Sequence, residues 1–157
     1  MERSVGRLVS ILYRKNMVYL NMTLKQYQIT SAEQPFLMYL YHQDGISQDE
    51  LSNYLIIDKA STTRSIQSLM SKGFIRKEKD AIDKRYNRIF LTEKAHQLKD
   101  GIVQQLNAWN DFLTEDLDIE ETNTMFHALE AMTKKVEQTN FKEKWGTSNG
   151  SNKSAGD

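Results

Sequence analysis

The sequence predicts a mostly α-helical fold with one small β-hairpin. Three observations carry that expectation. Apolar residues recur at helical spacing over most of the 157 residues. Only between Phe74 and Leu91 does the pattern change to two short strand-like runs. Just before them, Ser47-Gln48-Asp49-Glu50 is a capping box, in which the Ser side chain takes the N3 amide and the Glu reaches back.

The elements follow in order. Residues 4–24 read as a helix with Val5, Leu8, Ile11, Leu12 and Leu20 along one face. Thr30 or Ser31 can cap a second helix, with Pro35 early in it, where Pro is tolerated. Phe36, Leu37, Leu40 and Tyr41 form its buried stripe, and Asp44-Gly45 ends it. The capping box opens a short helix from Gln48 to about Leu55, with Leu51, Tyr54 and Leu55 inward. Asp58 caps another, Lys59 to about Lys72, and Gly73 suits its C-terminal end. Residues 74–79 and 86–91 read as strands joined by the polar tip Asp80 to Arg85. Thr92 and Glu93 start a long helix marked by Leu98, Ile102, Leu106, Trp109 and Leu113, with a break near Asp116. A last helix carries Met125, Leu129, Met132 and Val136. Residues 147–157, rich in Gly, Ser and Asn, read as a disordered tail. Two helices joined by a tight turn and followed by a β-hairpin make a winged helix-turn-helix. The flanking amphipathic helices need more apolar cover than one small domain supplies, which points to a dimer.

Composition bounds the function. The longest apolar run, Phe36 to Tyr41, is far short of a membrane span, and the N-terminus does not read as a signal peptide, so the expected compartment is the cytoplasm. There is no Cys, which excludes thiol chemistry in this chain. His42, His96 and His127 lack metal-ligand spacing, so no metal or cofactor is implied. Asp116 to Glu120 begins like a calcium loop, but its sixth position is Glu121 and its twelfth His127, which reads instead as an acidic turn. No catalytic constellation appears, so an enzyme is disfavoured.

The net charge is zero, but it is unevenly spread. Residues 58–94 carry ten Lys/Arg against five Asp/Glu, while residues 95–157 carry six against eleven. A local basic stripe points to a polyanion better than a bulk charge does. Within it, projection of the helix from Lys59 puts Thr63, Ile66, Leu69 and Met70 on the core side. The opposite side holds Ser61, Arg64, Ser65, Ser68 and Ser71, flanked by Thr62, Gln67 and Lys72. Short polar side chains let a helix lie close to a groove floor, and Arg grips guanine bidentately. The hairpin tip gathers Lys77, Lys79, Lys84, Arg85 and Arg88. Asp83, two residues before Arg85, can hold that guanidinium in one orientation for a narrow minor groove.

The run from Asp83 to Thr92 resembles the wing signature of the MarR family of transcriptional regulators. Further similar stretches are Ile46-Ser47-Gln48 with Glu50-Leu51, Asp58 to Arg64, and Lys72 to Arg76. Ala95 stands where the family usually has Gly. The resemblance implies one domain over 1–146, with a winged lobe at about 30–94 and dimerisation helices at about 1–29 and 95–145. It implies a cytoplasmic homodimer on a pseudo-palindromic double-stranded operator, a repressor released by a small aromatic or anionic effector. Ser61, Thr62, Arg64, Ser65 and Ser68 are then recognition-helix candidates, and Arg85 is the wing-tip reader with Asp83 as its orienter. Lys59, Gln67, Lys84 and Arg88 become phosphate contacts. Tyr13, Met17, Tyr39, Tyr41, His42 and Trp109 are expected to line an effector pocket, although each also suits a core or interface position. A second reading of the winged lobe, as a protein-protein module without specific DNA binding, stays open on the residues alone.

Overall fold

The computed structural model describes residues 3–146; the tail expected at 147–157 lies outside them. The chain divides into two compact units, Met1–Phe112 and Leu113–Asp157.

The first unit begins with α1 (Val5–Thr23), whose first turn is capped by Ser4 Oγ accepting the Arg7 amide. A 3-10 turn (Leu24–Tyr27) leads to α2 (Gln34–His42). Helix α2 starts later than the Thr30 or Ser31 cap predicts. Residues 31–33 form a turn instead, with the Glu33 and Gln34 amides donating to Thr30 O. The Glu33 carboxylate accepts the Thr30 amide at 2.8 Å and both short bonds of Lys72 Nζ, at 2.7 and 2.8 Å. Burial alone would raise the Glu33 pKa, but hydrogen bonds from Lys72, Ser68 and Thr30 outweigh it and leave the carboxyl below its usual range.

Next come β1 (Ile46–Ser47), α3 (Gln48–Leu55) and α4 (Lys59–Ser71). Strand β1 was not expected, because two residues carry no readable period. The capping box forms as the sequence predicts, with Ser47 and Glu50 exchanging both bonds. Tyr54, expected inward, is exposed and lays its ring against Tyr39 at 4.0 Å. Strands β2 (Ile75–Lys79) and β3 (Asn87–Leu91) complete an antiparallel sheet of order β1-β3-β2, with Ile46 opposite Ile89 and Ile75 opposite Leu91. Helix α5 (Glu93–Thr114) follows. In the second unit, the acidic turn ends at Asp118, which caps α6 (Ile119–Glu137) through a box with Glu121. A short α7 (Phe141–Trp145), absent from the sequence expectation, is capped by Asn140.

The core of the first unit is Phe36, Leu37, Leu40, Leu51, Ile66, Leu69, Phe74, Ile89 and Ile102, all essentially inaccessible. Each such side chain contributes about 1.5–3 kcal/mol by leaving water. Helix α4 meets this core in a different phase from the one hydropathy suggests. Its buried stripe is Thr62, Ser65, Ile66 and Leu69, while Met70 is exposed. Short Thr62 and Ser65 let α4 approach the turn before α2, where Ser65 Oγ donates to Ala32 O. Thr62 Oγ1 is buried without a hydrogen-bond partner. One glycine fits a different close approach: a Cβ on Gly101 of α5 would meet a Tyr27 ring carbon at 2.7 Å.

Two stability outcomes follow from these contacts. Thr62→Val removes the unpaired hydroxyl at nearly constant shape and should stabilise the fold by about 1 kcal/mol, read as a higher urea midpoint at unchanged slope. Gly101→Ala should destabilise it by about 1–3 kcal/mol despite better helix propensity, because the methyl overpacks against Tyr27.

Candidate DNA interface

The α3–α4 turn is built on an unusual backbone. Ile56 has φ 54°, a left-handed conformation that a β-branched residue rarely adopts. It is held there by Ile56 and Ile57 amides donating to Asn53 O and Ser52 O, and by Ser52 Oγ donating to Ile57 O at 2.7 Å. The turn delivers Asp58 as N-cap of α4, accepting the Ser61 amide at 2.8 Å. That amide holds the Asp58 carboxyl below its ordinary pKa.

The phase of α4 sorts the expected reading residues. Lys59, Arg64 and Gln67 are exposed, and Ser61 and Ser68 are half-buried. Thr62 and Ser65 are corrections: both are buried on the core side and present nothing to a groove. Thr63, assigned to the core from hydropathy, is half-buried outside the stripe and accepts Gln48 Nε2 at 2.7 Å. Arg64 Nη2 donates to Ser61 Oγ at 2.8 Å, which steadies the guanidinium along its own helix. Gln48, which the sequence reading missed, also accepts Lys77 Nζ from β2, so one amide ties α3, α4 and the wing.

The wing is organised around Asp80. Its carboxylate accepts the Ile82 and Asp83 amides at 2.8 and 2.9 Å and the Arg88 guanidinium. The Asp83 amide, the Arg88 guanidinium and the Ile82 amide together lower the Asp80 pKa to about 2. Arg88 Nη1 also donates to Gly45 O at 2.8 Å, so this cation is committed to the frame of the wing. Gly45 stands at φ 74°, and a Cβ there would lie 2.8 Å from the Phe90 ring. At the tip, Asp83 grips Arg85 from two sides, with Arg85 Nη2 to Oδ2 at 2.7 Å and Nε to Oδ1 at 3.0 Å. Asp83 also accepts the Arg85 amide, and Arg85 lowers its pKa. The Arg85 side chain stays 84% exposed, and Lys84 beside it is exposed too. Asp80 looked like one more polar residue of the tip, because nothing in its spacing marks a side chain that will bind two amides and an Arg.

The six effector-pocket candidates do not converge. Tyr13 and Met17 line a cavity of about 540 Å³ together with residues of α2, the α3–α4 turn and α4. The other four are absent from its walls. Tyr41 donates to Ala95 O, and burial pushes its phenol up to about 12, so it serves as a fixed donor against the edge of the core. Tyr39 packs on Tyr54 and lies edge-on to His42, and Trp109 stacks on Tyr19 at 5.0 Å. Asn16, which carries no sequence signal, is among the residues lining the cavity, and its Oδ1 is buried without a hydrogen-bond partner.

A helix-turn-helix followed by a short antiparallel hairpin defines the class of winged DNA-binding domains. The MarR family model matches residues 29–86. A MarR transcriptional regulator from Methanosarcina mazei Go1 superimposes with a TM-score of 0.79 at 36% identity, over 84% of this chain and 88% of that one. The HTH-type transcriptional regulator BilQ of Clostridioides difficile (strain CD3) is 24% identical over 86% of this chain and 93% of its own. A mutant MarR from E. coli, complexed with operator DNA, matches with a TM-score of 0.74 at 26% identity, over 82% of this chain and 92% of that one. The chain belongs to the MarR family of winged-helix transcriptional regulators, whose members regulate transcription and are not enzymes. No helix among the described residues is long and apolar enough to cross a membrane.

The Asp80 frame gives a pH outcome. Its folded pKa of about 2 lies below the ordinary 3.8, so the native wing binds fewer protons than the open one. Its stabilisation is therefore complete above 3.8 and is lost as pH falls from there through about 2. Amide NMR shifts of Ile82 and Asp83 should hold from neutral pH down to that window and move to random-coil positions within it. In Asp80→Asn they should be displaced at neutral pH, while signals from α1 and α5 keep their positions.

Proposed function

We propose that the protein is a homodimeric repressor that binds a pseudo-palindromic operator and leaves it when a small molecule occupies the cavity beside α4. The reading is carried by one observation above the others: an exposed Arg85 held in a fixed orientation by Asp83 at the tip of a wing. An Arg fixed before binding loses little freedom on entering a minor groove, where the potential is most negative. Arg64, Gln67, Ser61 and Ser68 supply the major-groove face, with Thr62 and Ser65 removed from the set. Lys59 and Lys84 supply phosphate contacts, while Arg88 acts by holding the wing to Gly45. The operator complex of the E. coli relative supports the assignment of double-stranded DNA as the partner.

Two exposed apolar faces support the dimer. Val5, Leu8, Val9 and Leu12 lie on one side of α1, and Leu129, Met132 and Val136 lie along α6, all open to water in the single chain. Contiguous exposed apolar surface of this kind marks an interface. Two-fold pairing would set the two α4 helices about 34 Å apart, one turn of duplex, and a ligand that changes that spacing would release them.

Fluorescence anisotropy on the DNA upstream of the protein's own gene, at two salt concentrations, tests the reading. Binding should be selective over an unrelated duplex and should weaken steeply with salt. Arg85→Ala should weaken it about tenfold or more, roughly the 1–3 kcal/mol of a groove contact, with circular dichroism and dimer mass unchanged. Equal weak binding of both duplexes, indifferent to Arg85, would overturn the operator assignment and favour a protein partner for the wing.

A further inference from the structure

The cavity beside α4 has a chemistry of its own. Its walls are largely apolar, with Leu20, Phe36, Leu55 and Ile57 among them, and its volume of about 540 Å³ suits a small organic ligand. Asp58 is the one residue lining it that carries a formal charge; no Lys, Arg or His does so. An anionic ligand would leave its hydration shell to face a carboxylate, with no cation among the lining residues to compensate. A cation with N–H donors would meet the Asp58 carboxylate and the exposed ring of Tyr13.

We propose that this cavity binds a lipophilic organic cation, an aromatic amine in its ammonium form, and that the ammonium engages Asp58. The proposal rests on the reading that a small molecule controls DNA binding, and of the aromatic or anionic effector expected from the family resemblance it takes the aromatic alternative and discards the anionic one. It also gives the signal a route. Asp58 is the N-cap of α4, and its carboxylate already holds the Ser61 amide. The Ser61 hydroxyl in turn accepts from Arg64. An ammonium that draws the carboxylate toward the cavity competes for the cap and reaches the reading face within one helical turn. The Ser61 amide keeps the Asp58 carboxyl well below its usual range, so the group is anionic at neutral pH.

Isothermal titration of the full chain with three probes of one shape tests this: 1-naphthylmethylammonium, 1-naphthylmethanol and 1-naphthoate. The ammonium should bind at least tenfold more tightly than the naphthoate. Asp58→Asn keeps a side chain that caps helices well and removes the charge, and it should weaken the ammonium about tenfold without improving the naphthoate. Asp100→Asn, which removes an exposed carboxylate elsewhere on α5, should leave the ammonium affinity unchanged. Equal or tighter binding of the naphthoate, indifference to Asp58→Asn, or no binding of any probe would overturn the proposal. Anisotropy of the DNA complex separates the two readings. Ammonium binding that depends on Asp58 but leaves DNA bound would uphold the cation site and overturn control of the operator through it.

Discussion

The structure depends on how closely α4 sits against the core. A recognition helix has two obligations: one side must pack and the other must reach a groove. Here the packing side is lined by Thr62 and Ser65 as well as Ile66 and Leu69, so the helix backbone lies close to the turn before α2. Lys72 at its far end then reaches the buried Glu33, which is itself tied to the Thr30 amide. A larger residue at position 62 or 65 would lift the helix and strand that carboxylate in the interior, where an unpaired charge is expensive. The phase, tilt and depth of the reading face are thus set by small side chains and one half-buried ion pair.

The wing shows the same economy with a different device. Asp80 gathers two backbone amides and Arg88, and Arg88 spans to the carbonyl of Gly45. A hairpin tip of six residues, four of them charged and its Ile82 left in water, buries little apolar surface with which to order itself. Charge-assisted hydrogen bonds supply the order instead. Asp83 applies a smaller version of this to Arg85 at the surface, where the pair adds little stability and a good deal of orientation. Acid and base in the tip therefore divide the work, with one pair inside the frame and one pointing out of it.

Much of this was legible in the residues. The capping box at Ser47, the Asp58 cap, the two strands and the Asp83–Arg85 spacing all carry local signals that tertiary packing leaves intact. What was misread has a common cause. Hydropathy favours Met70 over Thr62 and Ser65 as core, which turns the expected phase of α4 one position late and puts Thr63 and Met70 inward. Tyr54 reads as inward because it is aromatic, yet the half-buried Tyr39 ring suffices as its partner. Strand β1 is two residues long and exists only because β3 needs a neighbour. The pocket candidates follow from helices that the family resemblance brings together, and Tyr39, Tyr41, His42 and Trp109 make their contacts with other residues, away from the cavity. Asn16 carries no pattern at all, and only the fold reveals that its oxygen is unpaired.

The pairing of β1 with β3 has a consequence for how the domain assembles. Arg88 and Gly45 are 43 residues apart, and Gly45 N also donates to Ile89 O at 3.0 Å. Leu91 N donates to Asp44 Oδ1 across nearly the same span. These bonds form a clasp that closes a single chain loop around α3, α4 and β2. Closing so long a loop is entropically slow, so the clasp belongs to a late step of folding, after local helices have formed. Once closed, it makes the enclosed helices and the wing open and shut as one cooperative segment. A hydrogen-exchange map of the native state would see the reading helix and the wing share one opening energy, two surfaces of a single latch.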